Sequence, residues 1–371
     1  MPDKSAGKAM PVSAAAALSD SEGDEDGEGG KTRIKWKTLE HHGVIFFPAY
    51  KSHGVKLMHK GKPVDLSQEQ EEVCNWWAQI VGSEFSEKEL VKKNFESTLL
   101  GMLDSKRLGI ESLDDLDFSL IKEHLDDERE KRKLRPIDER KREAEEKAKT
   151  EAYYKFCLID GEPEKVSNCL VEPPGIFRGR GDHPHAGRIK QRVVPEFVSL
   201  NIGADNPIPV CPIPGHSWKR VMSNPEATWL CHFKDERSKY ANGKYVFLAA
   251  ESKIKGENDR KKYEKARRLK AKIDEIREDY NKKLRSLDVV ENQLGVCTYL
   301  IDNLALRVGN EKGEDEADTV GCCSLKVKNV ELPQQNQIKL DFLGKDSIRY
   351  ENTVDVPAEI YDNILKFSKG K

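Results

Sequence analysis

The sequence predicts an α+β fold made of several mixed subdomains, with projecting charged helices followed by a segment of helices and a β-hairpin. Three observations support this prediction. Short apolar runs interrupted by Gly and Pro precede residue 67 and are typical of strands and turns. Charge-rich stretches at about 119–155 and 253–287 have helical spacing. Further along, Gly344–Ser347 separates two strand-like stretches, as the turn of a hairpin does.

The first 30 residues form an acidic, low-complexity segment. They carry seven acidic side chains against two lysines, and the run S-D-S-E-G-D-E-D-G-E-G-G contains no large apolar residue. Such a composition cannot bury enough apolar surface to fold, so we predict a disordered tail over residues 1–30. The net charge of −2 comes from this tail, and the remaining chain is net positive. The negative sum therefore does not argue against a polyanionic partner.

The stretch from about 67 to 155 is predicted to be a helical insertion. Ser67 followed by Gln70 forms a capping box that begins one helix, and Ser86 with Glu89 repeats the signal for a second. Apolar residues of the first helix share one face, which indicates core packing rather than a base-stacking surface: Val73, Trp76, Trp77 and Ile80.

Two further helical regions are rich in charge. Pro136 divides the first into helices of about 119–135 and 137–155, because proline suits a first helical turn and breaks a helix interior. Mixed charges at helical spacing predict that the second of these helices projects into solvent, and its basic patches suggest nuclear import. Residues 253–287 carry fourteen Lys and Arg against seven Asp and Glu, and their recurring apolar residues predict one long amphipathic helix with a basic face.

Short strands and one buried helix are predicted in the remaining stretches. T-W-L-C-H-F and G-K-Y-V-F-L-A are strand-like, and so are Thr319–Val327 and Gln337–Asn352. The buried helix extends over about 289–307, with Gly309 as its C-terminal cap. In the hairpin of the last strand pair, Lys345 would stand at the tip, free to enter a groove.

The stretch from Glu172 to Arg192 combines a turning backbone with positive charge. Its four glycines allow tight turns and a close approach to a ligand. Five cations, opposed by Asp182, make it a poor core and a good phosphate-facing surface: Arg178, Arg180, Arg188, Lys190 and Arg192. Phe177 supplies an apolar face beside them. The alternative interpretation is a solvated basic loop.

Other kinds of site find little support. Eight cysteines include no C-x-x-C pair, and no histidine stands at zinc-finger spacing, so we expect free thiols, a reducing compartment and no metal site. The adjacent Cys322 and Cys323 are interpreted as small buried hydrophobic residues. No stretch approaches the roughly 18 apolar residues of a membrane span, so we expect no membrane partner.

Four separated stretches resemble eukaryotic type IB DNA topoisomerases, which clamp duplex DNA and nick one strand. They are I-K-W-K-T-L-E-H-H-G at 34–43, E-P-P-G-I-F-R-G-R-G-D-H-P at 172–184, L-A-L-R-V-G-N-E-K with A-D-T-V-G-C-C-S-L between 304 and 325, and D-F-L-G-K-D-S-I-R-Y at 341–350. They follow the order of the family. The resemblance implies a DNA clamp with a DNA-binding cap at 31–252 and an incomplete catalytic core at 253–371.

The resemblance also implies a mechanism and a set of site residues. In that family a tyrosine attacks a backbone phosphate and forms a 3′-phosphotyrosine, and supercoils relax without ATP, an obligatory metal or another cofactor. Two arginines and a histidine stabilise the transition state, and a lysine protonates the leaving 5′-oxygen. By motif, Arg307 is the first catalytic arginine and Lys345 the general acid. The predicted DNA contacts, from the resemblance and from the loop, are Arg178, Arg180, Lys190, Arg192, Lys244, Lys255, Asn310, Thr319 and Asp346.

The sequence departs from the family at three points. The family nucleophile lies in an S-K-x-x-Y motif, and none of the ten tyrosines here does. All nine histidines precede Phe233, whereas the catalytic histidine follows the lysine in the family, and the second arginine is also lacking. We therefore expect a nuclear chain that binds double-stranded DNA but is inactive alone, with the tyrosine supplied by a further segment or a second chain. Two alternatives stay open: a non-catalytic DNA-binding clamp and an interaction scaffold that uses the charged helices.

Overall fold

The computed structural model describes residues 34–234, 243–310, 312–313 and 316–369, and the predicted acidic tail lies outside these ranges. The described residues form a mixed α+β fold in which small sheets alternate with helices. Three hydrophobic clusters organise the packing within these ranges. Contacts join the described residues from Lys35 onward in one compact unit.

Helices are concentrated before residue 155 and after residue 252. Their bounds are α1 (Gln68–Ala78), α2 (Glu89–Met102), α3 (Ser105–Leu108), α4 (Ser119–Leu134), α5 (Ile137–Tyr154), α6 (Lys253–Leu269), α7 (Ile273–Lys283), α8 (Val289–Leu304) and α9 (Ala358–Ser368). Among the residues that the structure describes, none of these helices is both long and apolar enough to cross a membrane.

The strands are short and form separate small sheets. Their bounds are β1 (Leu39–Glu40), β2 (Leu57–His59), β3 (Lys62–Val64), β4 (Leu116–Asp117), β5 (Phe156–Ile159), β6 (Glu162–Lys165), β7 (Gly175–Ile176), β8 (Ile189–Lys190), β9 (Val198–Asn201), β10 (Arg220–Met222), β11 (Cys231–Phe233), β12 (Lys244–Val246), β13 (Val330–Glu331), β14 (Gln337–Leu343) and β15 (Arg349–Asp355). The sheet orders are β1-β5-β6, β3-β2-β4, β10-β9-β11-β12 and β13-β14-β15, with β7 and β8 as a separate ribbon. The pair of β9 and β10 is parallel, and the other pairs of these strands are antiparallel.

The first hydrophobic cluster forms where α1, α2 and α4 meet. The predicted capping box begins α1, because the Ser67 hydroxyl accepts from the N–H of Gln70 at 3.3 Å and the Gln70 side chain accepts from the N–H of Ser67 at 2.8 Å. Trp77 of α1 stacks on Phe95 of α2 with ring centroids 4.4 Å apart. Both rings are buried, which confirms the predicted core position of Trp77. Burial of a large apolar side chain contributes roughly 1.5–3 kcal/mol.

The predicted start of the second helix at Ser86 is wrong. Helix α2 begins at Glu89, and Ser86 lies buried in the turn before it. There the Ser86 hydroxyl donates to the carbonyl oxygen of Ser83 at 2.8 Å and accepts from the N–H of Ser83 at 3.1 Å. Because the hydroxyl is engaged on its N-terminal side, it stabilises the turn instead of capping the helix.

Pro136 separates α4 from α5, as predicted. Its φ is −53°, and it has no N–H with which to continue the hydrogen bonds of α4. No residue of α5 is buried, which confirms a projecting, solvated helix. Near the end of α5, Tyr153 stacks on His42 with ring centroids 3.8 Å apart, so this end of the helix is attached to the segment after β1.

The second cluster lies between the β1-β5-β6 sheet and the four-stranded sheet. Strands β11 and β12 lie inside the two predicted strand stretches, and Cys231 and Val246 on them are at most 1% exposed. His41 is buried beside these strands, with its Nδ1 4.0 Å from the Sγ of Cys231. The N–H of Gly43 donates to Nδ1 of His41 at 3.0 Å, so the ring proton is on Nε2, which donates to the carbonyl oxygen of Asn201 at 2.9 Å.

The predicted single helix over 253–287 is wrong. A 3-10 turn at Lys270–Lys272 divides it into α6 and α7. The apolar positions of α6 stay exposed, with Tyr263 at 68% and Leu269 at 51%, whereas Tyr280 of α7 is buried. The apolar spacing therefore marks a packed face only in the second part of the stretch, where α7 lies against α8.

The third cluster packs β14 against α8 and α9. Ile338, Leu340 and Phe342 alternate along β14 with their side chains buried, and Ile360 of α9 is fully buried against them. Strands β14 and β15 pair from Gln337–Asp355 to Leu343–Arg349, which confirms the predicted hairpin.

Two sequence predictions in this region are wrong. Helix α8 ends at Leu304, and Ala305 rather than Gly309 takes the left-handed conformation at its end, with φ 52°. The stretch 319–327 is not a strand and contains a 3-10 turn at Cys322–Ser324. Its apolar alternation reflects the burial of Val320 and Cys322 around a turning backbone.

The buried ring of His41 predicts a pH-dependent stability. Burial lowers the pKa of His41 to about 4 from the ordinary value of 6.5, and protonation would break the bond from Gly43. Because the unfolded chain binds this proton below pH 6.5 and the folded chain does not, the free energy of unfolding should fall by about 3 kcal/mol as pH drops from 6.5 to 4. Urea unfolding of the native chain and of His41→Leu measures this slope.

His42→Gln serves as the matched control, since His42 is the adjacent histidine and stacks on Tyr153. The loss of stability at acid pH should be smaller in His41→Leu than in His42→Gln. Equal slopes in the two variants would contradict the assignment to His41.

Candidate nucleic-acid interface

Residues 172–192 fold as a two-stranded ribbon that ends in a loop. Strand β7 pairs with β8, and the ribbon continues where the N–H of Phe177 donates to the carbonyl oxygen of Arg188 at 2.7 Å. The N–H of Gly187 donates back to the carbonyl oxygen of Phe177 at 2.9 Å. Gly179 then has a φ of 65°, and a Cβ there would lie 2.5 Å from the Cβ of His183, so the sharp turn requires glycine.

Helix α2 holds this loop through a close backbone contact. Gly187 has a φ of 91°, and a Cβ at this position would lie 2.4 Å from the carbonyl oxygen of Val91. Beside it, the buried Asn94 side-chain amide donates to the carbonyl oxygens of Pro184 at 2.9 Å and Ala186 at 2.8 Å. These contacts satisfy loop carbonyls and fix the loop on the helix.

Arg178 and Arg188 lie on the side of the loop that faces α2. The guanidinium carbon of Arg178 is 5.6 Å from the centroid of the Phe85 ring, a cation–π geometry. Nη1 of Arg188 donates to the hydroxyl of Ser97 at 3.0 Å. An open cleft of about 660 Å³ separates this side of the loop from the start of α2, and Lys88 is among its lining residues.

Lys190 and Arg192 are held by acids on neighbouring elements. Nζ of Lys190 lies 3.1 Å from a carboxylate oxygen of Glu172, and both side chains are about one third exposed. Nη2 of Arg192 lies 2.5 Å from Glu72 of α1, and its Nη1 donates to the carbonyl oxygens of Phe47 and Pro48. Arg192 therefore connects the loop to the first helix, and its role in DNA binding stays a prediction.

The loop also contacts the tip of the β14–β15 hairpin. Arg180 forms an ion pair with Asp346, and both side chains are exposed. A Cβ on Gly181 would lie 2.5 Å from the hydroxyl of Ser347, so the loop backbone closely approaches the Ser347 side chain. This contact brings together two predicted DNA contacts, Arg180 and Asp346, that are far apart in the sequence.

Lys345 stands at the hairpin tip, as predicted. A short 3-10 turn spans Lys345–Ser347, and Asp346 takes a left-handed φ of 66°. The N–H of Gly344 donates to the carbonyl oxygen of Ile348 at 2.8 Å and closes the turn. The Lys345 side chain is exposed and has no hydrogen-bond or ion-pair partner among the residues that the structure describes. Its amine is therefore available to a ligand.

A cross-strand ion pair stabilises the stem of this hairpin. Arg349 donates from Nε and Nη2 to the two carboxylate oxygens of Asp341 at 2.9 and 2.7 Å. The hydrogen bonds from Arg349 lower the pKa of Asp341, so this carboxylate stays charged at neutral pH. This diagonal pair stabilises the register in which Leu343 lies opposite Arg349.

The backbone of residues 320–323 connects Arg307 to the Lys345 hairpin. The N–H of Val320 donates to the carbonyl oxygen of Leu343, at the end of β14, at 2.8 Å. The N–H of Cys322 donates to the carbonyl oxygen of Arg307, also at 2.8 Å. The N–H of Cys323 donates to the carbonyl oxygen of Val308 at the same distance. The backbone of Arg307 and the end of the strand that leads to Lys345 are thus bound to one segment, and the Arg307 side chain is exposed.

Two glycines make this arrangement possible. Gly309, with φ 79°, packs against Gly321, and a Cβ on Gly309 would lie 2.5 Å from the Cα of Gly321. A Cβ on Gly321 would lie 2.3 Å from the Cα of Gly309. Gly309 was predicted to cap α8, but the structure assigns it to this backbone contact.

The remaining predicted contacts lie on separate elements. Lys244 is exposed at the start of β12, and the N–H of Lys255 donates to the Ser252 hydroxyl in the first turn of α6. Asn310 is exposed shortly after Arg307, and Thr319 is half-buried immediately before Val320. The described contacts bring Thr319 near the Lys345 hairpin through Val320, and they do not join Lys244 or Lys255 to the loop.

Sequence reasoning missed the residues that position the site. Asn94 has no local signal, because an asparagine on a helix is common and its two acceptors lie about 90 residues away. Phe85 was also missed. The alternation of glycines and cations in the sequence did predict the loop surface. The residues identified in this way are those that contact α2 and the hairpin.

The structure thus brings a glycine-rich cationic loop against a lysine-tipped hairpin, and positive charge of this kind suits a polyanionic ligand. The family model described as "Eukaryotic DNA topoisomerase I, DNA binding fragment" matches residues 34–248. A second, "Eukaryotic DNA topoisomerase I, catalytic core", matches residues 251–371. The chain therefore belongs to the eukaryotic type IB DNA topoisomerase family, DNA topoisomerase I.

Individual relatives agree with this assignment. The chain is 49% identical to DNA topoisomerase 1 beta of Arabidopsis thaliana over 92% of its own length and 37% of that protein. It is 43% identical to DNA topoisomerase 1 of Schizosaccharomyces pombe over 90% of the chain and 41% of the relative. It is also 43% identical to the protein of Rattus norvegicus named DNA topoisomerase I, mitochondrial, over 93% and 59%. The chain thus spans about two fifths to three fifths of the length of these relatives.

The contact between Gly187 and α2 predicts a large effect of one added methyl group. Gly187→Ala adds left-handed strain of about 1–2 kcal/mol and a backbone clash of about 1–3 kcal/mol. The free energy of unfolding should therefore fall by about 2–5 kcal/mol, as measured by urea unfolding with tryptophan fluorescence.

Gly161→Ala is the matched control, because Gly161 has a φ of 82° and its Cβ would meet no atom within 4 Å. This variant should lose only the strain, about 1–2 kcal/mol. If the two variants were equally stable, the close approach of the loop to α2 would be wrong.

Proposed function

We propose that this chain is the duplex-DNA-binding part of a type IB topoisomerase, together with the beginning of its catalytic core. It would relax supercoils through a transient single-strand break and a 3′-phosphotyrosine, without ATP, once a further segment or a partner chain supplies the nucleophile. The observation that carries the proposal is the contact of the Arg180 loop with the Lys345 hairpin. It supports a phosphate-binding role for the loop beside the proposed acid.

The loop suits the DNA backbone. Arginine side chains bind phosphate oxygens through two N–H groups, and Arg180 and Lys190 pair with partly exposed acids that a phosphate can replace. Arg180 and Lys190 are the proposed phosphate ligands, and their acids are Asp346 and Glu172. Contacts of this kind carry no sequence information, so we expect binding to duplex DNA without strong sequence preference.

Two residues of this chain would take part in the reaction, and the nucleophilic tyrosine would come from a further segment or a partner chain. Arg307 would stabilise negative charge on the non-bridging oxygens of the attacked phosphate. Lys345 would donate a proton to the leaving 5′-oxygen, for which a flexible, exposed amine at a hairpin tip is suited. Since the sequence contains no S-K-x-x-Y motif, the 371-residue chain alone should form no covalent adduct with DNA.

Two other functions make different predictions. A non-catalytic clamp would bind DNA in the same way but would not gain activity from a complementing segment. A scaffold would use the exposed faces of α4 and α5 and would have no DNA affinity. We also propose a nuclear location, although relatives from rat and human are named mitochondrial. Fluorescent tagging in the source cell distinguishes the two compartments.

Charge reversal at the loop tests the binding surface. Arg180→Glu combined with Lys190→Glu should weaken binding to all duplex sequences alike. Each phosphate contact contributes about 0.9 to the slope of log affinity against log salt, so the magnitude of the slope should fall by about 2. Fluorescence anisotropy with several unrelated duplexes over a salt series measures both effects.

Lys56→Glu with Arg107→Glu is the matched control, because it changes the charge equally at two exposed ion pairs outside the proposed surface. Its slope should equal that of the native chain. Loss of affinity for some duplexes and not others in the loop variant would refute backbone recognition, and absence of DNA affinity in the native chain would favour the scaffold.

Lys345→Ala tests the acid in a chain completed with the missing catalytic part, in cis or as a second chain. Cleavage should slow by about 10²–10⁴-fold, the usual contribution of general acid catalysis, while duplex affinity changes little. A substrate with sulfur at the 5′-bridging position of the scissile phosphate needs no proton on its leaving group. The cleavage defect of Lys345→Ala should largely vanish with this substrate.

Arg307→Ala is the comparison in the same assay, because its proposed role on the non-bridging oxygens does not depend on the leaving group. Its defect should persist with the sulfur substrate. If the Lys345→Ala defect also persisted, Lys345 would act by charge stabilisation and the assignment as acid would be wrong.

A further inference from the structure

Cys297 of α8 faces Cys322 of the 3-10 turn that holds Arg307. The Sγ of Cys297 lies 3.8 Å from the carbonyl oxygen of Cys322, and the Sγ of Cys322 lies 3.4 Å from the carbonyl oxygen of Cys297. These reciprocal contacts place the two thiols side by side. The prediction that Cys322 and Cys323 are both small buried residues holds for Cys322, at 3% exposed, and is wrong for Cys323, which is exposed.

Cys297 differs from its two thiol neighbours in the direction of its pKa shift, because the pKa values of Cys322 and Cys323 are raised. Hydrogen bonds from the thiols of Cys322 and Cys323 lower the pKa of Cys297 to about 7. By contrast, burial raises the pKa of Cys74 and Cys157 to about 12. Since the thiolate is the reactive form, Cys297 is suited to react at neutral pH, and it is half-buried rather than enclosed.

We propose that Cys297 and Cys322 form an oxidisable dithiol site, in which a peroxide joins the two residues by a disulfide bond. The Cys297 thiolate attacks one peroxide oxygen, the O–O bond breaks, and the leaving hydroxide takes a proton and becomes water. The Cys322 sulfur then attacks the resulting sulfenic acid, the S–O bond breaks, and a second water leaves with the thiol proton. Two thiols are oxidised to a disulfide, and one hydrogen peroxide is reduced to two waters.

This bond would close a loop that contains Arg307, Asn310 and Thr319. It would also join α8 covalently to the turn whose amides bind the carbonyl oxygens of residues 307 and 308. Oxidation at this site would therefore restrict the segment that carries the proposed catalytic arginine. The site itself is defined by sulfur contacts and can be tested without DNA, so its test is independent of the proposed function.

The test is peptide mapping of the 371-residue chain after treatment with hydrogen peroxide, alkylation of free thiols and digestion. The native chain should yield a peptide pair joined through Cys297 and Cys322, two hydrogen atoms lighter than the free pair and separated again by dithiothreitol. Cys323→Ser should still form the bond, whereas Cys297→Ala and Cys322→Ser should not. Sulfinic acid at Cys297 without a cross-link, or a bond between Cys322 and Cys323, would overturn the proposal.

A second measurement needs no variant, because Cys322 is buried and its substitution can disturb folding. Labelling of Cys297 by iodoacetamide in the native chain should rise with pH through a midpoint of about 7. Cys211, which is also half-buried but lacks a thiol neighbour among the described residues, serves as the internal reference. Labelling of Cys297 that is no faster than that of Cys211 at neutral pH would count against the site.

Discussion

The positions of Arg307 and Lys345 depend on the backbone hydrogen bonds of residues 320–323. The N–H of Val320 binds the carbonyl oxygen at the end of β14. The N–H groups of Cys322 and Cys323 bind carbonyl oxygens of the segment after α8. A hydrogen bond contributes about 1 kcal/mol net, but a buried amide without a partner costs about 1–3 kcal/mol. Separating residues 320–323 from β14 or from the segment after α8 is therefore unfavourable. The contact of Gly309 with Gly321 leaves no space for a side chain between the two backbones. The segment of residues 320–323 thus connects Arg307 with the Lys345 hairpin, which are far apart in the sequence.

The loop cations differ in how firmly the protein holds them. Arg180 pairs with Asp346 where the two side chains are 68% and 43% exposed, and such a surface pair contributes about 0–1 kcal/mol. Arg192 and Glu72 are 27% and 14% exposed, and Arg192 also binds two carbonyl oxygens. Exchanging Asp346 for a phosphate therefore costs little, whereas exchanging the partners of Arg192 would remove a contact that joins the loop to α1. Arg180 and Arg192 therefore differ in role, since Arg180 makes an exposed and exchangeable ion pair and Arg192 connects the loop to α1.

Local chemistry explains which parts of the fold could be predicted from the sequence. The capping box at Ser67, the helix break at Pro136 and the hairpin turn with Lys345 at its tip depend on neighbouring residues, and these predictions are confirmed. Local patterns missed the 3-10 turn that divides 253–287 into two helices, and they missed the use of Gly309, which depends on the distant Gly321. For the site, charge and glycine content identified the loop, but its placement against α2 and the hairpin depends on contacts between distant residues. The catalytic and DNA-binding roles stay predictions.

The loop contacts α2 on one side and the β14–β15 hairpin on the other, and the contact with α2 is the more stable of the two. On the α2 side, Gly187 lies against backbone and the buried Asn94 satisfies two carbonyl oxygens, so separation would leave polar groups unpaired in an apolar cluster. On the hairpin side, the contact consists of an exposed ion pair and the approach of Gly181 to Ser347. Water and salt can replace the ion pair with little loss of free energy. Separating the loop from the hairpin should therefore cost less free energy than separating it from α2.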